Sequence, residues 1–155
     1  MISIKDSIEI KAPPEKVFNW LINIRTGRDY QTWHPDHVDW QWIKGKPFQE
    51  GSVALFEEYL HGRMHRLKFK CTRVIPNRLI EYKPSFPMSI LMSRGQFAME
   101  PRGAESCSFT AAINFREGPF FKKLFTKQME DLKQHMKEED ENLKRIIEAQ
   151  PNIHD

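Results

Sequence analysis

His135 and Glu139 stand four residues apart in the run Gly118 to Gln150, whose apolar residues recur at helical spacing. An imidazole and a carboxylate at that spacing lie roughly 40° apart around a helix, the geometry by which a helix presents two ligands to a divalent metal. The apolar stripe comprises Phe125, Met129, Leu132, Met136, Leu143 and Ile146, and Glu139 falls where a core side chain is expected. A buried carboxylate without a partner is costly, so this one requires a neutralising group. Three other stretches can send polar groups inward: His34 and His37 in Trp33-His34-Pro35-Asp36-His37, Glu57 and Glu58 in an apolar run, and His65. Either histidine of the Pro35 loop can turn inward. Parity groups Glu58 with Phe56 and Leu60, and Glu57 with Leu55, Tyr59 and His61, so the pattern leaves both glutamates open.

The elements that must position these groups follow from periodicity. Ile2, Ile4, Ile8 and Ile10 recur at even spacing, which predicts a strand over residues 2–11 with one buried face. Ala12-Pro13-Pro14-Glu15-Lys16 is a proline-led helix start, and Thr26-Gly27-Arg28-Asp29 breaks that helix before a second short one. Turn signals then separate strands near 38–44, 52–61, 63–75, 78–86, 90–100 and 105–116. Leu67, Phe69 and Cys71 alternate with Arg66, Lys68 and Lys70, giving an apolar inner face that includes His65 by parity. Phe97, Met99, Phe109 and Phe115 extend that face, and with Met136 they are the expected lining of a ligand cavity. The expected fold is α+β: a seven-stranded, curved antiparallel sheet wrapped round a long C-terminal helix, with two short helices after strand 1. Residues 1–150 form one domain and 151–155 a frayed tail.

Composition narrows the classes. At 155 residues the chain suits one domain with a real core, and a net charge of +3 is too weak to argue for nucleic acid. No apolar run approaches a membrane span, and the N-terminus lacks the order of a signal peptide, so the expected location is cytoplasmic, without a membrane partner. Cys71 and Cys107 read as buried reduced thiols. No serine or cysteine has a nucleophile context, and no glycine-rich phosphate loop is present. The apolar group Phe120-Phe121-Leu124-Phe125 reads as core or as cavity wall.

The order of elements around Ala12-Pro13-Pro14-Glu15-Lys16-Val17-Phe18-Asn19-Trp20 resembles the helix-grip fold of the START/Bet v 1-like (SRPBCC) superfamily. Within it, Trp33-His34-Pro35-Asp36-His37, Glu58-Tyr59-Leu60-His61-Gly62 and His135-Met136-Lys137-Glu138-Glu139 resemble the diacetylphloroglucinol hydrolase branch. The resemblance implies a divalent metal, taken to be zinc, on His37, Glu58, His135 and Glu139, with His34 the rival for the loop position. Such a metal polarises an acyl carbonyl and lowers the pKa of bound water. The implied reaction is hydrolytic carbon-carbon cleavage of a small aromatic or polyketide-like ketone. His65, His61, Tyr59 or Tyr30 would supply the acid or hold a phenolic oxygen. The alternatives are a metal-free carrier of a hydrophobic ligand or lipid, a polyketide cyclase or aromatase, and a protein-interaction module. The expected partner is a small hydrophobic or aromatic ligand, and the expected state a monomer or homodimer.

Overall fold

The even-numbered isoleucines form the inward face of β1 (Ile2–Ile10), and Pro14 opens α1 (Pro14–Ile22) at a position where its missing N–H costs nothing. The computed structural model of the protein describes residues 1–119 and 121–150. Thr26, expected only to break a helix, also starts the next: it caps α2 (Gly27–Trp33) through a reciprocal capping box with Asp29. Gly27 is required there because a Cβ would lie 2.6 Å from Asp39 Oδ1 in the adjoining strand. The chain continues through β2 (His37–Lys44), β3 (Val53–Leu60), β4 (Arg63–Ile75), β5 (Leu79–Pro84), β6 (Met92–Pro101) and β7 (Cys107–Phe115) to α3 (Phe121–Ala149).

All pairings are antiparallel in the order β1-β7-β6-β5-β4-β3-β2, so α1 and α2 carry the chain from one edge of the sheet to the other. The curved seven-stranded sheet wraps the long helix as expected. The principal shortfall is the run 78–86, which ends as a strand at Pro84 and gives way to a 3-10 turn at Met88–Ile90. Cys71 and Cys107 are buried free thiols, and burial raises the pKa of both. The expected frayed tail and Phe120 lie outside the described residues.

Two expectations for α3 need correction. Ile147, fully buried, takes the place assigned to Ile146, and the acid in the hydrophobic seat is Asp140, 1% exposed, rather than Glu139. The inner row runs Met136, Asp140, Leu143, Ile147, a 4-3-4 spacing, and Glu139 lies about 100° round the axis from Asp140. Asp6 is the even-numbered residue that interrupts the isoleucines of β1, and its carboxyl neighbours that of Asp140. Among the described residues the Asp140 oxygens have no partner other than the Asp6 carboxyl. Burial, and then the Asp6 carboxyl, push its pKa up to about 10, so Asp140 is neutral at physiological pH.

The sign of the consequence follows from linkage. An unfolded Asp140 ionises near 3.8 and the folded one holds its proton to about 10, so stability falls as pH rises through that interval. Asp140→Asn should therefore stabilise the metal-free protein at neutral pH by roughly 1 to 3 kcal/mol. Urea unfolding should show the gain shrinking towards about pH 4; a gain that grows on acidification would mean that the folded carboxyl is ionised.

Candidate functional site

The loop between α2 and β2 is fastened to α3 by two hydrogen bonds. Trp33 Nε1 donates to the Glu139 carbonyl at 3.0 Å, and Asn142 Nδ2 donates to the Trp33 carbonyl at 3.1 Å. This clamp sets the loop histidines against His135 and Glu139. Neither Trp33 nor Asn142 carried a signal in the sequence, because an aromatic and a helical asparagine read as packing and as surface.

Four side chains from three parts of the chain then converge. His37 Nε2 lies 3.6 Å from Glu58 Oε2 and 3.4 Å from Glu139 Oε2. His135 Nε2 lies 3.7 Å from Glu58 Oε2 and 3.1 Å from Glu139 Oε1. Ligands bound at about 2.0 to 2.1 Å in a tetrahedron are separated by roughly 3.3 Å, and His37, His135 and Glu139 are close enough together to share one ion, with Glu58 beside the two imidazoles. Both Nε2 atoms are buried and have no partner outside the Glu58 and Glu139 carboxylates. His37 is oriented by its other nitrogen: Nδ1 donates to the Tyr30 carbonyl at 2.9 Å, which leaves the Nε2 lone pair facing the cluster. Tyr30 also stacks on the His37 ring at 3.7 Å and donates its hydroxyl to Glu58 Oε2 at 2.7 Å. The residue types and the two orphaned nitrogens fit a divalent cation.

His34 has a different position. Its Nδ1 accepts from the Asp36 N–H at 2.9 Å and its Nε2 donates to Glu138 at 3.1 Å, so both nitrogens are engaged. Its ring packs 4.2 Å from that of His135, buttressing it. His34, Asp36 and His135 form a second group close enough to chelate a metal, but only His135 in it has an orphaned nitrogen. Glu57, the strand alternative, points outward to Arg66 at 3.5 Å.

With no cation present, the cluster is held by opposite charges. Burial works against ionising Glu139, yet hydrogen bonds from His135 and His37 bring its pKa down to about 2. Burial likewise opposes charge on His135, and the Glu139 and Glu58 carboxylates overcome it, raising its pKa to about 9. Burial and the neighbouring Glu139 raise Glu58.

The cluster opens onto a cavity of about 310 Å³ between sheet and helix, walled mainly by aromatic and aliphatic side chains. Phe97, Phe115 and Met136 line it as expected; Met99 and Phe109 are instead buried behind the wall. Phe121 and Phe125 contribute to the wall, while Leu124 is 65% exposed. His61 and His65 reach the cavity rim, where His61 pairs with Asp131 of α3 at 3.1 Å and His65 donates to the Leu60 carbonyl at 3.2 Å. Tyr59, expected beside them, is 46% exposed and lines only a groove outside the rim. Sequence reading overlooked Tyr82, which lines the cavity and is kept protonated by burial and by the Glu139 and Glu58 charges.

Residues 1–148 match the family described as polyketide cyclase / dehydrase and lipid transport. The chain belongs to that family. No curated protein matches it. The ZhuI aromatase/cyclase of Streptomyces sp. R1128 is similar over 95% of this chain and 93% of its own, with a TM-score of 0.75 and 13% identity. Norcoclaurine synthase of Thalictrum flavum, in complex with dopamine and hydroxybenzaldehyde, covers 97% and 89%, with a TM-score of 0.72 and 12% identity. The polyketide-cyclase-like protein Cgl2372 of Corynebacterium glutamicum covers 95% and 91%, with a TM-score of 0.60 and 20% identity. Identities this low establish the shared fold, and none of these likenesses points to the hydrolase branch. Among the described residues no helix is long and apolar enough to cross a membrane.

The geometry separates the rival ligands. Cobalt titration of the chelator-treated protein should give one tetrahedral absorption band per chain, lost in His37→Ala and Glu139→Ala and retained in His34→Ala. Loss in His34→Ala with retention in His37→Ala would reverse the assignment.

Proposed function

We propose that this member of the family binds a flat, aromatic or polyketide-like ligand in its cavity and orients it for cyclase- or aromatase-type chemistry. The observation that supports this reading is the cavity itself: an apolar volume of about 310 Å³ with imidazole and carboxylate groups set into one part of its wall. The apolar walls fix the plane of the ligand, and the polar groups distinguish its oxygens from its ring. Of the rim groups, His65 can move a proton, and the Tyr30 hydroxyl holds Glu58 in place.

A second reading, hydrolysis of an aryl ketone to an arene and a carboxylic acid, is favoured by the two unpartnered imidazole nitrogens that face each other across the carboxylates. A divalent metal, zinc by donor type, would be held by His37, Glu58, His135 and Glu139 and would supply Lewis acidity there. The chain's own contribution is to turn both Nε2 atoms into the cluster with no partner outside it, to exclude bulk water, and to present His65 as an acid near the ring.

Filling the cavity tests the first reading. Ala111, buried in its wall, lies on β7 away from the polar cluster. Ala111→Phe should weaken binding of anilinonaphthalene sulfonate at least tenfold while circular dichroism is unchanged, whereas Glu139→Gln should leave that binding intact. Unaltered binding in Ala111→Phe would place the ligand elsewhere. Acid release from an acetylated polyphenol by metal-loaded protein, absent in Glu139→Gln, would favour the second reading.

A further inference from the structure

Three tryptophans with indole N–H groups reaching inward meet different fates. Trp33 donates to the Glu139 carbonyl and Trp42 to the Ile24 carbonyl, each at 3.0 Å. Trp40 Nε1 is buried with no acceptor, although its ring lines the cavity and is 5% exposed. A buried donor left without a partner is destabilising, so its persistence asks for a reason.

The three tyrosines show the same contrast. Tyr30 spends its hydroxyl on Glu58 and Tyr59 is 46% exposed, while the Tyr82 ring is set into the cavity wall and its hydroxyl has no hydrogen-bond partner among the described residues. That ring lies between Phe69 at 4.9 Å and Phe97 at 5.5 Å. It rests over Gly95, its register partner in β6. A Cβ on Gly95 would come within 2.5 Å of the Tyr82 hydroxyl and 2.6 Å of Cε2, so the glycine is what allows the phenol to occupy this place. Trp40 flanks the same Phe69 at 5.4 Å, but its indole nitrogen is buried within the packed wall, which leaves the Tyr82 hydroxyl as the donor at the cavity surface.

We propose that the sheet wall carries a second polar subsite, the Tyr82 hydroxyl held over Gly95, which receives a carbonyl or phenolic oxygen of the ligand. The inference rests on the cavity being the ligand site and narrows the ligand class. A free phenol in an apolar wall donates readily, so the matching ligand presents an acceptor. That favours an oxygenated aromatic compound over a plain hydrocarbon or an aliphatic amine. The ligand then meets a phenol on β5 and, elsewhere in the wall, carboxylates from β3 and α3 with the His135 imidazole.

A matched pair of probes reads the subsite without knowledge of the natural ligand. Fluorene and 9-fluorenone share a shape and differ by one carbonyl oxygen. Wild-type protein should favour the ketone by about 2- to 10-fold beyond its partition preference, the range of one net hydrogen bond. The bound ketone should show a lowered carbonyl stretching frequency. Tyr82→Phe should abolish most of the preference and raise that frequency, with fluorene affinity unchanged. Gly95→Ala, which keeps the hydroxyl but displaces it, should behave like Tyr82→Phe. An unchanged ketone-to-hydrocarbon ratio and frequency in Tyr82→Phe overturns this subsite alone. Failure of both probes to bind overturns the cavity reading together with it.

Discussion

Two carboxylates and two imidazoles share one desolvated point beneath α3, and the surrounding structure is arranged to make that tolerable. Each group alone would resist burial in its charged form. Together they cancel: Glu139 draws hydrogen bonds from His135 and His37, and its charge with that of Glu58 keeps His135 protonated. Such a cluster has little to stabilise it beyond its own geometry, so the geometry must be imposed from outside. Tyr30 imposes it on His37 and Glu58 through its carbonyl, its hydroxyl and its ring face. Trp33 and Asn142 impose it on the loop by binding α3 directly.

The cavity arises from the same mismatch between elements. A sheet that wraps a helix cannot touch it everywhere, and bulky aromatic residues on β2, β4, β5 and β6 line the gap without filling it. Where α3 packs on β1, the chain buries Asp140 against Asp6. One turn of helix thus carries two acids with opposite fates. Glu139 is ionised by its partners, and Asp140 is neutralised by burial.

The strand order and the helix-grip arrangement were legible because alternation and turn residues are local signals, and the antiparallel hairpins follow from them. The i, i+4 spacing of His135 and Glu139 was legible as well, whereas parity left Glu57 and Glu58 both open. The choice of His37 over His34 was open from the chain alone, since it depends on which nitrogens the backbone of Tyr30 and Asp36 occupies. The hydrophobic seat was misassigned by one residue because Ile146 and Ile147 are both apolar, and sequence periodicity cannot choose between adjacent isoleucines. Tyr82 was missed because its role depends on Gly95, a neighbour across the sheet that no linear pattern connects to it.

The account stands on four donors meeting at one point. X-ray absorption at the zinc edge of metal-loaded protein measures that meeting most directly. The expected spectrum has a single shell of about four nitrogen and oxygen ligands near 2.0 to 2.1 Å, with the multiple scattering of two imidazoles. A shell lacking imidazole scattering, or expanded to six oxygens, would contradict it.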